Sequence, residues 1–104
     1  MSQYELEAES SVETDIEDAL EWYEIEQLGL GVEFLEELRA AYLRILDGPF
    51  KYQELRSGIR RSLTRRFPYA VYFSVEGEVV LVLAVLQTAR DPEEWQLRIG
   101  GYKQ

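Results

Sequence analysis

The sequence predicts a small α+β domain in which an N-terminal strand precedes an α-helical hairpin and a three-stranded antiparallel meander. Apolar residues recur at helical spacing between positions 12 and 45, with one break at Gly29-Leu30-Gly31. From position 59 onward, aromatic and branched residues dominate, interrupted by Pro68 and by a turn at Glu76-Gly77. This order predicts a single domain over residues 1–104, with one sheet and the helices on one face.

The N-terminal half supplies the first strand and both helices. Residues 3–9 alternate between apolar and charged side chains, which is typical of a half-buried edge strand. The segment Ser10–Glu13 fits a capping box, and the helix that it opens should run to about Gln27 or Leu28. The second helix should end at Asp47-Gly48-Pro49, because proline cannot continue a helix.

The C-terminal half supplies the meander. Its first strand begins near Ile59, Phe67-Pro68-Tyr69 forms the bend, and the last strand runs from Glu78 to Gln87. A short extended segment is expected between positions 50 and 55. Pro92 is placed to open a short helical turn, and residues 100–104 should form a loose tail.

The last strand is apolar on both faces, although two helices can cover only one face of so small a sheet. We therefore expect a second apolar face to be left partly bare. It would carry one alternating set of side chains, either the odd-numbered set or Ala70, Tyr72, Val80, Val82, Ala84 and Leu86. Since monomers rarely expose a large apolar patch, the chain should either form a homodimer or bind a partner segment there.

Composition removes several classes of chemistry. The chain has no cysteine and no histidine, which excludes disulfides, thiolate or imidazole metal sites and Ser-His-Asp catalysis. Carboxylate groups such as Glu36-Glu37 and Asp91-Glu93-Glu94 offer too few converging oxygens, so neither a metal nor a cofactor is expected. No apolar run approaches a membrane span and no leader is evident, which predicts a cytoplasmic protein without membrane partners.

The charge is divided unevenly along the chain, although the net charge is −9. Residues 1–47 hold 14 acidic residues against two arginines, a net −12, whereas residues 48–104 hold nine basic residues against six acidic ones, a net +3. Such asymmetry indicates a charged partner for one side, or two halves that neutralise each other within the fold. The sequence leaves both interpretations open.

Five arginines fall within eleven residues, at positions 56, 60, 61, 65 and 66. They could recognise phosphate or carboxylate on another molecule, or pair with the acidic helices. Alternation places Arg61 and Arg65 with Leu63 on the core side, so Arg60 and Arg66 are the better candidates for contacting a partner. Trp22 and Tyr23 could stack on a ligand, but their helical positions favour packing.

The sequence resembles the RelE/ParE superfamily of toxins from type II toxin–antitoxin systems, especially its plasmid-stabilisation branch. The resemblance covers nearly the whole chain and lies in a series of short pieces: Ala19–Tyr23, Gly29–Leu35, Ile59-Arg60-Arg61, Phe67–Tyr72, Val80–Leu86, and Arg90-Asp91-Pro92 with Trp95. It implies a RelE/ParE-like fold and a cognate antitoxin whose segment covers the sheet.

The resemblance leaves the cellular target open. RelE-like members cut mRNA on the ribosome, and their functional positions fall near Arg60, Ser62, Tyr69, Arg90 and Trp95 of this chain. Only the two arginines keep suitable chemistry, since tryptophan has no hydroxyl and serine no charge; Gln87 also stands where this branch often has histidine. ParE-like members instead bind DNA gyrase and need no cleavage residues.

Three hypotheses follow from the resemblance. The first, which we favour, is a toxin that binds its target without catalysis. The second is a ribonuclease built on Arg60, Arg66 and Arg90, and the third is a non-toxic, dimerising interaction protein. No catalytic residue is assigned, with Arg60 and Arg90 as the only weak candidates. The candidate residues for binding a target or partner are Arg60, Arg66, Tyr72, Val80, Val82, Leu86, Arg90 and Trp95.

Overall fold

The computed structural model describes residues 3–88 and 94–99 of the chain. Its elements, in chain order, are β1 (Glu5–Ala8), α1 (Ser10–Glu26), α2 (Leu30–Asp47), a 3₁₀ turn (Pro49–Lys51), β2 (Glu54–Arg56), β3 (Ile59–Leu63), β4 (Tyr69–Glu76), β5 (Val79–Gln87) and α3 (Glu94–Ile99). The predicted strand, helical hairpin and meander are therefore confirmed. Arg90, Pro92 and residues 100–104 lie outside the described residues, so the expectations for them stay predictions.

The strands form one sheet in the order β1-β5-β4-β3-β2. β3, β4 and β5 pair antiparallel, as the meander predicts. β1 lies at an edge, parallel to β5. The opposite edge is β2, a three-residue strand within the region expected only to be extended.

The helical hairpin covers one face of the sheet, which we call the helix face. α1 buries Val12, Ala19 and Tyr23 against it, and α2 buries an apolar row that includes Phe34. Tyr23 and Phe34 form an edge-packed aromatic cluster with Phe67 and Tyr69, with ring centroids 4.7 to 6.0 Å apart. The packing role expected for Tyr23 is confirmed, whereas Trp22 is exposed.

The hairpin corner is held by a side chain from α1. Glu24 accepts hydrogen bonds from the backbone N–H groups of Gly29, at 3.0 Å, and Gly31, at 2.8 Å. A carboxylate there satisfies free N–H groups and complements the positive end of the α2 dipole. Gly29 has a φ of +88°, and a Cβ on Gly31 would approach the Leu20 Cδ1 to 2.5 Å. The positive φ therefore favours glycine at position 29, and a side chain at position 31 would displace Leu20 and Glu24.

The start of α1 differs from its prediction. Glu9 is the N-cap residue and makes no side-chain capping bond, so the capping box expected at Ser10–Glu13 is wrong. The turn of the last hairpin is also shifted by one residue, because Glu76 pairs with Val79 and the loop is Gly77-Glu78. Gly77 has a φ of +61°, as a two-residue turn with glycine first requires.

A bulge in β5 changes which side chains share a face. Tyr72 pairs with Ala84 and Phe73 with Val82, which leaves Leu83 as an extra residue. Before the bulge, Val80 and Val82 pack on the helix face. After it, even-numbered Ala84 and Leu86 lie on the opposite face, here called the second face. The predicted alternating set is therefore wrong for the two valines.

Tyr42, on α2, has a buried hydroxyl with no hydrogen-bond partner among the described residues. Burial raises the pKa of Tyr42 to about 12, and the nearby Asp15 carboxylate adds to that increase. In the unfolded chain the same phenol ionises near pH 10. The folded state therefore loses stability relative to the unfolded chain as the pH rises from about 10 to about 12, and this loss is absent below pH 10.

We predict that Tyr42→Phe raises the free energy of unfolding at pH 7 by about 1 kcal/mol, because it removes an unpaired buried hydroxyl. It should also reduce the loss of stability between pH 10 and 12. Urea unfolding across that pH range measures both effects. Tyr52→Phe, at another half-buried tyrosine, is the control, and a loss of stability in Tyr42→Phe would contradict the assignment.

Candidate binding surface on the second face

The second face is partly covered by α3, a short C-terminal helix of the same chain. Ile99 is buried there in an apolar cluster with residues of the three meander strands: Ile59, Ala70, Tyr72, Leu83, Ala84 and Leu86. Trp95 and Leu55 pack at its margin. The expectation that this face would be bare is therefore wrong over β4 and β5, because α3 buries the side chains that the two long helices cannot reach.

The ring of Trp95 stacks on Tyr72, with centroids 5.5 Å apart and an interplanar angle of 16°. Beside this stack is a small cleft of about 80 Å³. Its remaining lining residues are Arg61, Leu86, Gln87, Thr88 and Glu94. The cleft thus combines a paired aromatic wall with a guanidinium, a carboxylate and neutral polar groups.

Asp15, on α1, holds α3 in place. Its two carboxylate oxygens accept a two-pronged hydrogen bond from Arg98, at 2.8 Å each, in the partly buried geometry that suits arginine. One of the same oxygens accepts the Val85 backbone N–H at 3.0 Å. Only 10% of the Asp15 side chain is exposed. One buried carboxylate therefore links α1, β5 and α3.

The rest of the second face, toward β3, stays accessible. Leu63 is 54% exposed, and Leu97, on α3, is 83% exposed. Arg61 and Leu55 are half-buried, and Leu55 packs against the apolar cluster. The accessible part of the second face is thus a mixed surface of leucines and one arginine beside the Tyr72–Trp95 stack.

The structure brings together three of the candidate binding residues and places four others elsewhere. Tyr72, Leu86 and Trp95 meet on the second face. Val80 and Val82 are buried on the helix face. Arg90 lies outside the described residues.

Arg60 and Arg66 already have partners within the chain. Arg60 donates to the Tyr52 carbonyl oxygen at 2.6 Å, lies 3.5 Å from Glu54 and stands over the Phe50 ring. Arg66 pairs with Glu33 of α2 and lies over the Phe67 ring.

Of the two arginines predicted to face the core, Arg61 lies on the second face and Arg65 is exposed beyond the end of β3. Arg61 pairs in register with Tyr72, whose side chain lies there. Ile59 and Leu63 share that face, so the expectation that they point with Arg61 toward the helices is wrong. The alternation of the sequence correctly places these residues on one face of β3, but it does not indicate which face of the sheet the helices cover. Four residues that line the cleft were not among the sequence-based binding candidates: Arg61, Gln87, Thr88 and Glu94.

The positions that correspond to RelE-like functional residues do not share a surface. Ser62 is 2% exposed, and it pairs with Val71 of the helix-face core. Tyr69 belongs to the aromatic cluster on that face. Trp95 lies across the sheet, on the second face. Within the described residues, no cluster of acidic side chains is arranged to hold a metal ion, and no helix is long and apolar enough to cross a membrane.

The fold is similar to that of a protein chain in a solved toxin–antitoxin structure. A solved structure described as a chromosomal ParDE TA system from P. aeruginosa matches the chain with a TM-score of 0.73 at 12% sequence identity. The match covers 82% of this chain and 96% of that one. No curated protein matches the sequence.

The sequence itself identifies the family. The family described as the ParE toxin of type II toxin-antitoxin systems, parDE, matches residues 6–92. The chain therefore belongs to the ParE toxin family. Its resemblance to the RelE/ParE superfamily is confirmed, and its role is that of a type II toxin.

We predict that Asp15→Asn loosens α3 and lowers the free energy of unfolding by about 2 kcal/mol, because it removes charge-assisted hydrogen bonds from a buried site. Hydrogen exchange of the Trp95–Ile99 amides should accelerate, and urea unfolding should give the change in free energy. The matched control is Asp18→Asn, an exposed position on the same helix. Unchanged exchange in α3 would contradict the assignment of Asp15 as its anchor.

Proposed function

We propose that this ParE-family protein inhibits growth by binding a cellular target without cleaving RNA, and that an antitoxin segment on the second face neutralises it. The observation that carries the proposal is the division of the RelE-like positions between the two faces of the sheet. Ser62 and Tyr69 are buried under the helices, whereas Trp95 lies opposite them. Groups that must act on one phosphodiester would have to converge on it.

The chemistry of the individual side chains supports the same proposal. Trp95 has no hydroxyl to donate a proton. The Arg60 guanidinium already contacts Tyr52, Glu54 and the Phe50 ring. Arg66 is paired with Glu33. A nuclease centred on these two arginines would first have to break their contacts within the chain.

The charge favours a protein target over the ribosome. With a net charge of −9, the chain is repelled by dense RNA phosphate, which slows association. ParE-like members bind DNA gyrase, so gyrase is the target that we propose. The helices carry most of the negative charge, which leaves the less acidic sheet side for the contact.

The proposed antitoxin surface is the accessible part of the second face, toward β3 and beside α3. Leu63 and Leu97 present exposed apolar area there, and Tyr72 and Trp95 supply aromatic area. Arg61 adds a charge that an acidic residue of the antitoxin could pair. An antitoxin segment bound to this surface would remove the exposed Leu63 and Leu97 side chains from water.

The function is tested by inducing the chain alone in bacteria and following DNA integrity and mRNA together. The proposal predicts growth arrest with a DNA-damage response and intact messages. Loss of messages in the absence of DNA damage would instead support the ribonuclease hypothesis. Unaffected growth would support the non-toxic interaction protein, and either result would contradict the proposal.

We predict that Arg61→Glu weakens binding of the antitoxin encoded by the adjacent gene by about tenfold, since it replaces an attractive charge by a repulsive one at the proposed interface. Isothermal titration calorimetry with the purified antitoxin measures the affinity. Arg56→Glu, at an exposed position on β2, makes the same charge change away from this surface. Equal affinities for both variants would place the antitoxin elsewhere.

A further inference from the structure

A second candidate site lies on the opposite side of β5 from the Tyr72–Trp95 cleft, between the strand and α1. We propose that this edge cleft binds an extended partner segment through a lysine or arginine side chain. The cleft has a volume of about 440 Å³. It is lined by Asp15, Asp18, Ala19 and Trp22 of α1 and by Tyr69, Val85, Leu86 and Gln87 of the sheet.

The cleft exists because β1 is shorter than β5. β1 ends at Ala8, which is opposite Val82, and after the Glu9 N–H has bonded to the Val82 carbonyl oxygen the chain turns into α1. β5 continues for five residues, to Gln87, and no strand of residues 3–88 or 94–99 pairs with it on that edge. An unpaired strand edge is a template for an added extended segment.

One of the backbone groups along this open edge is already satisfied. The Val85 N–H donates to Asp15, which takes the place of a strand at that position. Farther along, the Thr88 N–H donates to Pro68 on the β4 side. Because neighbouring residues of a strand point their backbone groups to opposite sides, those of Gln87 face the open edge. Main-chain pairing at Gln87 is therefore open to an incoming segment.

The α1 wall of the cleft favours a cation. Asp18 and Trp22 are four residues apart and so are neighbours on one side of the helix. Trp22 is 55% exposed, and it lines the cleft together with Asp18. A guanidinium or ammonium group between them gains both a cation–π contact and a charge-assisted hydrogen bond.

The surrounding charge selects the same ligand. The residues of α1 include seven acidic side chains and no lysine or arginine. Asp15 is already neutralised by Arg98, so Asp18 carries the charge that is left for a partner at the cleft wall. An acidic segment would be repelled, and a neutral segment would not form the charge-assisted hydrogen bond with Asp18.

This site is independent of the proposed antitoxin surface, although the two clefts share Leu86 and Gln87 at the end of β5. A partner segment in one cleft therefore reaches the border of the other. Binding in the edge cleft requires neither toxicity nor contact with the β3 side of the second face.

The test titrates two blocked peptides, Val-Arg-Val-Arg-Val and Val-Glu-Val-Glu-Val, into the whole ¹⁵N-labelled protein and follows its NMR signals. The arginine peptide should shift the Trp22 indole and Gln87 amide signals in a saturable way, and the glutamate peptide should not. The double variant D18N/W22A should weaken arginine-peptide binding by about fivefold, which corresponds to two exposed contacts. Well-dispersed spectra of the variant confirm that it is folded.

The matched control is the double variant E21Q/I25A, which also removes one charge and one exposed apolar side chain from α1 but leaves the cleft lining intact. It should bind the arginine peptide as the wild type does. The proposal is overturned if neither peptide shifts these signals, if both peptides shift them equally, or if D18N/W22A binds as tightly as the control.

Discussion

The position of α3 against the sheet depends on the hydrogen bonds of the Asp15 carboxylate. β5 extends beyond the end of β1, so the Val85 N–H has no partner in β1. It donates a hydrogen bond to the Asp15 carboxylate instead. The same group binds Arg98 and so fixes α3 over the second face. Burial of the apolar cluster around Ile99 and stacking of Trp95 on Tyr72 follow from that placement. The six residues of α3 thereby cover the β4 and β5 part of the face that the two long helices leave open.

Sequence patterns predicted the elements well because their causes are local. Helical periodicity defined α1 and α2, and Gly48-Pro49 defined the end of the hairpin. The faces of the strands were less predictable. The extra residue Leu83 reverses the alternation of β5, and it has no signature within an unbroken apolar run. α3 was expected only as a helical turn, and its contact with Asp15 joins residues 83 positions apart.

The arginines illustrate why residue type alone did not locate the site. Arg60 and Arg61 are chemically identical neighbours, yet alternation sends them to opposite faces of β3. Arg60 meets Tyr52 and Glu54, which an account of charge alone could not anticipate, whereas Arg61 reaches the cleft beside Tyr72. The acidic helices do pair with the basic half, as Glu33 and Arg66 demonstrate.

We propose that the antitoxin binds this toxin on the β3 side of the second face, beside an α3 that the chain itself holds in place. Amide hydrogen exchange should be measured for the toxin alone and in complex with its cognate antitoxin. Binding at this surface should slow exchange at Arg61–Leu63 and change it in α3, with α2 amides unaffected. Protection confined to α1 and α2, with β3 and α3 exchanging as in the free protein, would contradict it.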